Sequence, residues 1–280
     1  MPRAASSRYA ELARVAAKTA VAVGDRIKVD DVEIVTRKRG RANFATAADH
    51  AAEAEILRRL RAHDRTIPIL AEESADRTLR GSERLWVVDP LDGTLNFSQG
   101  VPFYCVAIGY VEDGRVRAAA IHAPRTGETF VAHEGGGATL NGTRIAVSSV
   151  ARASDAMACT SLAFRAAARK DSRFVALNST VSRLRVIGSA ALEICYVACG
   201  KLDLFVHESL APWDVAGAQL VAREAGAVVR SLKTGADAAW DEPQVVIGNP
   251  KVVKDLLTKL PGLVRAPTGT RRGWSPRSGE

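Results

Sequence analysis

The 280-residue chain has no long hydrophobic run. Apolar residues nowhere continue for the roughly 18 positions that a helix needs to cross a bilayer. Near the amino end, Arg3, Arg8, Arg14 and Lys18 interrupt a stretch rich in alanine, so the continuous apolar segment of a secretory signal is missing. These absences predict a cytoplasmic protein without a membrane partner.

Cysteine is scarce, and the four present form no C-x-x-C pair. Cys195 and Cys199 lie four positions apart on a predicted helix and therefore share one face. Neither a second pair nor a nearby histidine completes a tetrahedral zinc site. We expect reduced thiols in the protein core. The chain also lacks G-x-G-x-x-G, G-x-x-x-x-G-K and G-x-S-x-G sequences, which disfavours dinucleotide binding, P-loop nucleotide binding and serine hydrolase chemistry.

Apolar residues make up 47% of the chain and charged residues 25%, which is usual for a folded globular protein. The net charge of +8 is concentrated at residues 37–41 and near the carboxyl end. Residues 263–280 are predicted to be a disordered basic tail. A basic excess suits a small anionic substrate, or RNA and other polyanions, or a solvated tail that binds nothing.

The hydrophobic pattern changes along the chain. Helical spacing predicts a helix over residues 6–23 and another after Thr46. Short strand-like runs fill residues 103–147, with hairpin turns predicted at 113–114 and 141–142. After about residue 150, strands and helices alternate. We therefore predict an α+β portion over residues 1–150 and an α/β portion over 151–262.

An apolar strand at residues 84–89 leads into two carboxylates, those of Asp89 and Asp92. Pro90 fixes the backbone where the chain has to turn, and Gly93 permits close approach to a ligand. Amide N–H groups after such a turn bind anions. Two hard anions beside an anion-binding turn suit divalent cations that lie between them and a phosphate. The alternative is a surface turn in which both acids cap a helix.

Four segments together resemble the inositol monophosphatase family. They are Ala71-Glu72-Glu73-Ser74, Asp89-Pro90-Leu91-Asp92-Gly93-Thr94, Gly188-Ser189-Ala190-Ala191 and Pro212-Trp213-Asp214-Val215-Ala216-Gly217, in this order. The similarity extends from about Lys38 to Gly226. It implies a layered αβαβα sandwich of the sugar-phosphatase type, with the active site between the two halves. It further implies a homodimer and a Mg²⁺-dependent, lithium-sensitive phosphomonoesterase.

The resemblance also implies which residues form the site. Two or three Mg²⁺ ions would be held by Glu72, Asp89, the Leu91 carbonyl, Asp92 and Asp214. Catalysis would depend on Thr94, Asp49 and Glu72. The substrate would contact Lys38, Gly93, Thr94, Gly188, Ser189, Ala190 and His207.

Electrostatics supports the metal if these acids converge. Two carboxylates about 4 Å apart repel by roughly 4 kcal/mol at an effective dielectric near 20. A set made of oxygen ligands favours Mg²⁺ over Zn²⁺. Simpler roles remain open for three residues. Asp49 also fits as a helix N-cap, Asp214 as a cap of the helix that begins there, and Lys38 as a solvated loop charge.

One position departs from the family pattern. Inositol-specific members have a glutamate seven residues before the final aspartate, whereas this chain has His207, followed by Glu208. Either a shift of one residue restores the carboxylate, or the substrate is another phosphorylated alcohol, such as a histidinol, sugar or nucleotide phosphate. We predict a Mg²⁺-dependent phosphomonoesterase. The alternative is a regulatory protein on a phosphatase fold that binds RNA or a transcription complex.

Overall fold

Two large β-sheets, a separate two-stranded pair and three layers of helices form the part of the chain that the computed structural model describes, residues 3–27, 34–37, 44–160 and 173–264. The helices are α1 (Arg3–Gly24), α2 (Ala47–His63), α3 (Thr94–Ser98), α4 (Arg173–Thr180), α5 (Ala190–Ala198), α6 (Pro212–Glu224) and α7 (Pro250–Lys259). The strands are β1 (Ile34–Arg37), β2 (Phe44–Thr46), β3 (Ile69–Ala71), β4 (Arg84–Asp92), β5 (Cys105–Glu112), β6 (Arg115–Ala123), β7 (Glu128–His133), β8 (Gly137–Leu140), β9 (Thr143–Arg144), β10 (Met157–Thr160), β11 (Arg183–Arg185), β12 (Leu204–His207), β13 (Val228–Ser231) and β14 (Val245–Gly248).

The larger sheet has the strand order β3-β4-β5-β6-β7-β8-β9, and only the β3–β4 pair in it is parallel. The smaller sheet has the order β11-β10-β12-β14-β13, in which β11, β10 and β12 run parallel. The larger sheet ends at Arg144 and the smaller begins at Met157, on either side of the predicted boundary at residue 150. Strands β1 and β2 pair separately.

Alternating residues of β4 enter two different cores, as the period of a strand requires. Trp86 and Val88 belong to the core beneath α1 and α2, whereas Leu85 and Val87 belong to the core that contains α5 and α6. A third core joins the outer face of the smaller sheet to α4 and α7. The resulting order of layers, αβαβα, confirms the predicted sandwich.

Helix α6 lies directly against β5 at a pair of glycines. A Cβ atom added to Gly109 would lie 3.0 Å from the backbone N of Gly217. A Cβ on Gly217 would lie 3.2 Å from the Ile108 carbonyl oxygen. Any larger side chain at this contact would push the helix away from the sheet. The contact therefore fixes the position of Asp214, which lies one turn before Gly217 on the same helix.

Several sequence predictions need correction at their boundaries. The strand expected over residues 84–89 continues to Asp92, because the segment that follows Asp89 still pairs with β5. The run expected over residues 138–147 is divided into β8 and β9 by the turn at 141–142.

Both predicted hairpin turns are confirmed by the strand pairs that they connect. All four cysteines are free, and three of them are buried, as expected for core thiols.

Two predictions fall outside the described residues, those for Lys38 and for most of the basic tail. Among the helices that the structure does describe, none combines the length and the apolar character needed to cross a membrane.

Candidate metal centre

A one-residue bulge in β4 brings Asp89 and Asp92 together. Residues three apart on a regular strand point to opposite faces of the sheet. Here Asp89 pairs with Ala107 and Asp92 with Cys105, so three steps along β4 match two along β5. The extra residue turns both carboxylates to one side. Pro90 lies within this bulge, where its missing N–H leaves no ladder bond unmade.

Asp214 reaches the same place from another element, and Glu72 lies next to the cluster, where its charge acts on Asp89. The amide of Glu72, which directly follows β3, donates to the Val88 carbonyl at 3.2 Å, which places Glu72 beside Asp89. Asp214 lies in the first turn of α6. One oxygen each from Asp89, Asp92 and Asp214 lies within 4.8 Å of the others. The structure thus brings together acids that are separated by more than 120 residues in the sequence.

Hydrogen bonds from the segment 189–191 hold the Asp92 carboxylate. Its Oδ2 accepts from the Ser189 hydroxyl at 2.6 Å and from the Ala191 amide at 2.7 Å. Its Oδ1 accepts from the Ala190 amide at 3.2 Å. Sequence analysis assigned Ser189 and Ala190 to the substrate. In the structure their polar groups contact a predicted metal ligand, so direct binding of substrate by them stays a prediction.

Thr94 and Asp49 form a second polar pair next to the cluster. The Thr94 hydroxyl lies 3.0 Å from Asp49 Oδ1 and 3.1 Å from the Leu91 carbonyl oxygen, to either of which it can donate. The other oxygen of Asp49 accepts from the amide and hydroxyl of Thr46. Thr46 is the N-cap of α2, and Asp49 completes a reciprocal capping box. Asp49 therefore caps the helix with one oxygen and contacts Thr94 with the other.

Asp214 also combines two roles. Its Oδ2 accepts from the Ala211 amide at 2.7 Å, which caps the start of α6. Because a carboxylate has two oxygens and several lone pairs, this bond leaves it able to bind a metal. The cap holds the side chain in place for the cluster.

Glycine is required where the chain leaves β4. Gly93 adopts a left-handed conformation with φ of 97°, which disfavours any other residue. A Cβ atom there would lie 3.0 Å from the Phe103 carbonyl and 3.2 Å from Ser189 Cβ. The turn that carries Thr94 is thus packed directly against the segment that binds Asp92.

The charges of the cluster change its proton affinity. Burial raises the pKa of Asp89 well above its ordinary value, and the nearby charges of Glu72, Asp92 and Asp214 raise it further. Burial also raises the pKa of Asp92, although the Ser189, Ala191 and Ala190 bonds oppose the shift. Buried carboxylates that repel one another are stabilised by protons or by a hard divalent cation. An all-oxygen set of this kind fits Mg²⁺.

We expect the stability of the metal-free protein to fall as the pH rises from about 6.5 to about 7.5. Glu193, whose pKa burial raises to about 7, binds more protons folded than unfolded until the pH passes that value, and the raised pKa of Asp89 acts in the same direction. The slope is about 1.4 kcal/mol per pH unit for each such proton. His207 has the opposite sign, because burial lowers its pKa to about 4, but its effect is largely complete by pH 6.5. Thermal unfolding in a chelator measures the trend.

Added Mg²⁺ should oppose this pH dependence, because the metal competes with protons for the oxygens of Asp89. Stabilisation by Mg²⁺ is therefore expected to be larger at the upper end of the range. A metal-free protein that becomes more stable across the same range would contradict the assigned shifts.

The predicted substrate residues are placed as follows. His207 ends β12, on the edge where the parallel strands β10 and β11 also end. It is largely buried, its ring stacks on Phe205 at a centroid distance of 5.8 Å, and its Nδ1 accepts from the Ser209 amide at 3.0 Å. The neighbouring Glu208 forms an ion pair with Arg173 at 3.6 Å.

Three residues that hold the loops of the site have no role in the sequence predictions. Asn96 donates to the carbonyls of Phe103 and Ile187, both at 2.8 Å. Glu53 accepts from the Glu73 amide at 2.7 Å, next to Glu72. Glu193 accepts from the amides of 187 and 188. The sequence offers one signal for the two glutamates: each is charged but lies on an otherwise apolar helix face.

The chain is similar to known proteins over most of its length. The model of the inositol monophosphatase family matches residues 5–262. The Nus factor SuhB of Vibrio cholerae is 34% identical over 231 residues, with 81% of this chain and 86% of that protein covered. The fructose-1,6-bisphosphatase/inositol-1-monophosphatase of Thermotoga maritima is 33% identical, with 84% and 91% covered.

A solved structure shares the whole fold. The extragenic suppressor protein suhB of Bartonella henselae aligns with a TM-score of 0.81 at 30% identity, covering 89% of this chain and 98% of that one. The family match over nearly the full length identifies a phosphoric monoester hydrolase: this chain belongs to the inositol monophosphatase family.

Proposed function

We propose that the protein is a Mg²⁺-dependent phosphomonoesterase that hydrolyses a small phosphorylated alcohol. The single observation that carries the proposal is the cluster formed by the buried Asp89 and Asp92 with the half-buried Asp214. Such a cluster is electrostatically unfavourable without a cation. It lies beside a hydroxyl–carboxylate pair, Thr94 and Asp49, that can orient a water molecule and accept its proton.

The metal ligands in this proposal are Glu72, Asp89, the Leu91 carbonyl, Asp92 and Asp214, for two or three ions. Mg²⁺ bound there would lower the pKa of a coordinated water and neutralise charge on the phosphate oxygens. The hydrogen bonds to Asp92 and Asp214 orient these carboxylates beforehand, so that little rearrangement is needed when the substrate binds.

Thr94 and Asp49 would supply the general base. The Thr94 hydroxyl accepts a hydrogen bond from the attacking water while its own proton points to Asp49 Oδ1. Because the Thr46 bonds fix the other oxygen of Asp49, the pair cannot rotate freely. The water is therefore held in one direction and its proton has an acceptor. The amides of Gly93 and Thr94 would bind the phosphate, with Lys38 as a further contact.

His207 would determine which alcohol is accepted. Its low pKa keeps the ring neutral, and Nδ1 already accepts a bond from Ser209. The proton of the neutral ring is therefore on Nε2, which donates. A glutamate at this position accepts instead. We propose that the substrate presents an acceptor oxygen here, as a second phosphate or a carboxylate does. The bifunctional name of the Thermotoga maritima relative supports a range wider than inositol monophosphate.

Replacing His207 with glutamate should shift the preference toward inositol monophosphate. A hydrogen bond to a charged group contributes about 1.5–3 kcal/mol, so we expect kcat/KM for inositol monophosphate to rise by about 10- to 100-fold relative to the parent substrate. Glu208→Gln is the matched control. If Glu208 instead contacted the substrate, its substitution would lower inositol monophosphate turnover, and His207→Glu would change little.

The experiment that tests the proposal is phosphate release from a panel of inositol, sugar, histidinol and nucleotide phosphates, with Mg²⁺ and with a chelator. We expect turnover of at least one substrate, only with the metal, and inhibition by lithium. Absence of turnover on every substrate would refute the phosphatase proposal. Sedimentation of the same preparation tests the predicted homodimer.

Binding to RNA or to a transcription complex is a second candidate. It is supported by the net charge of +8 and by the name of a relative, Nus factor SuhB. Binding of this kind depends on salt, because each neutralised phosphate releases counterions. We expect removal of residues 265–280 to weaken RNA binding and to lower its salt dependence. Unchanged binding would exclude the tail as the contact.

A further inference from the structure

A buried glutamate in α5 holds the segment that positions Asp92. Glu193 has only 1% of its surface exposed. Its Oε1 accepts from the amides of Ile187 and Gly188, both at 2.9 Å. Further along the same segment, the amides of Ala190 and Ala191 donate to Asp92. Four of the five successive amides at 187–191 therefore donate to carboxylates. Those of 187 and 188 donate to Glu193, within the helix, and those of 190 and 191 donate to Asp92, in the metal centre.

Other contacts of the segment make it rigid. The Ile187 carbonyl accepts from Asn96 at 2.8 Å, so this residue is held at both its N–H and its C=O. Ser189 is the N-cap of α5, but its hydroxyl donates to Asp92 and does not cap the helix. The start of α5 is thus arranged for Asp92, and Glu193 is the internal support of that arrangement.

The second oxygen of Glu193 argues against a role in stability alone. Among the described residues, Glu193 Oε2 is buried and has no hydrogen-bond partner. An unpaired buried oxygen on a charged group is destabilising. The other oxygen, Oε1, accepts from two backbone amides, and this contact accounts for a buried carboxylate at this position.

We propose that Glu193 is a positioning residue for the metal centre. By fixing the amides of Ile187 and Gly188, it sets the path of segment 187–191, and so the direction from which Ser189, Ala190 and Ala191 hold Asp92. Its loss would leave Asp92 free to turn away from the cluster. This inference rests on the proposed function, because Asp92 is taken as a metal ligand.

The test compares Glu193→Ala with Glu224→Ala. Glu224, at the end of α6, also accepts from two backbone amides, those of Gly135 and Gly137, at 2.8 and 2.7 Å. Its loss removes the same number of bonds from a hairpin outside the metal centre. Calorimetric titration of the metal-free variants with MgCl₂ gives the affinity. Hydrogen exchange of the amides of 187–191 measures how rigidly the segment is held in the absence of metal.

We expect Glu193→Ala to weaken Mg²⁺ binding by about 10- to 100-fold, as loss of a group that orients a metal ligand does. Exchange at 187–191 should become faster. Glu224→Ala should change Mg²⁺ affinity by less than about twofold, because distant sites act independently. Glu193→Gln keeps an acceptor oxygen and should restore most of the affinity, whereas Glu193→Asp is too short to reach the amides and should not.

The inference is overturned if Glu193→Ala and Glu193→Asp both bind Mg²⁺ like the parent. If Glu193→Ala fails to fold, Glu193→Asp and Glu193→Gln decide the comparison. A parent that binds no Mg²⁺ would refute the proposed function. Exchange at 187–191 would then still test the positioning, since unchanged exchange in the Glu193 variants overturns it independently.

Discussion

Replacing Asp89 with asparagine is expected to lower kcat/KM for phosphate ester hydrolysis by about a thousandfold or more. The substitution keeps the size of the side chain and the oxygen that accepts from the Leu91 amide at 3.0 Å. It removes the charge at the centre of the carboxylate cluster. Metal ligation and neutralisation of the phosphate then weaken together, which explains the size of the loss. Phosphate release measures it.

The same variant should not be less stable without metal. The pKa of Asp89 is raised by burial and by Glu72, Asp92 and Asp214, so its ionised form destabilises the empty fold. Near pH 8 we expect metal-free Asp89→Asn to unfold at the same temperature as the parent or higher. Asp113→Asn, at an exposed hairpin turn, is the matched control and should keep full activity. A variant at position 89 with a tenth of the parent activity would contradict the assignment.

Replacing Thr94 with valine is expected to lower kcat by about 100- to 10,000-fold, the usual contribution of a general base. Valine has the same shape but no hydroxyl, so the attacking water loses the group that orients it. Asp49 Oδ1 would lose its partner at the same time, at a cost in unfolding free energy of about 1–3 kcal/mol. Steady-state kinetics and chemical denaturation measure the two effects separately.

Thr94→Ser serves as the control, because it keeps the hydroxyl and should retain most of the activity. If Thr94→Val and Thr94→Ser had the same kcat, the hydroxyl would have no part in catalysis. A loss confined to KM would instead assign Thr94 to substrate binding.

The helices and strands around the site follow from sequence pattern, but the shape of the metal centre does not. The continuous apolar run at residues 85–88 predicts a strand up to Asp89. The bulge that turns Asp92 to the same side depends on the pairing of β4 with β5, which no local pattern contains. From periodicity alone, two acids three residues apart on a strand would face opposite sides of the sheet.

The sequence leaves both a capping role and a functional role open for Asp49 and Asp214. In the structure, the capping contact does not exclude the functional role. Each carboxylate caps a helix with one oxygen, and each also belongs to the polar surroundings of the cluster. The predicted N-cap at Asp49 is corrected to Thr46, because Asp49 lies at the third helical position and bonds back to it. A contact at the helix start is a local feature, and it could not reveal the second contact, which comes from residues far away in the chain.

Segment 188–191 illustrates the same limit. Its similarity to a substrate loop predicted contacts with the substrate, whereas its Ser189 hydroxyl and its Ala190 and Ala191 amides bond to Asp92, more than 90 residues away. Glu193, which holds this segment, carried no motif at all. Residues that support a metal ligand are recognised only when the packing around that ligand is known.

The central claim is that the buried acids of the cluster are stable together because they bind a divalent cation. Calorimetric titration of the metal-free protein with MgCl₂ at about pH 8 tests it directly, because the heat of binding reports metal uptake without any substrate. We expect saturable binding, which Asp89→Asn strongly weakens and Asp113→Asn leaves intact. No binding of Mg²⁺ by the parent, or equal binding by the parent and Asp89→Asn, would contradict the account.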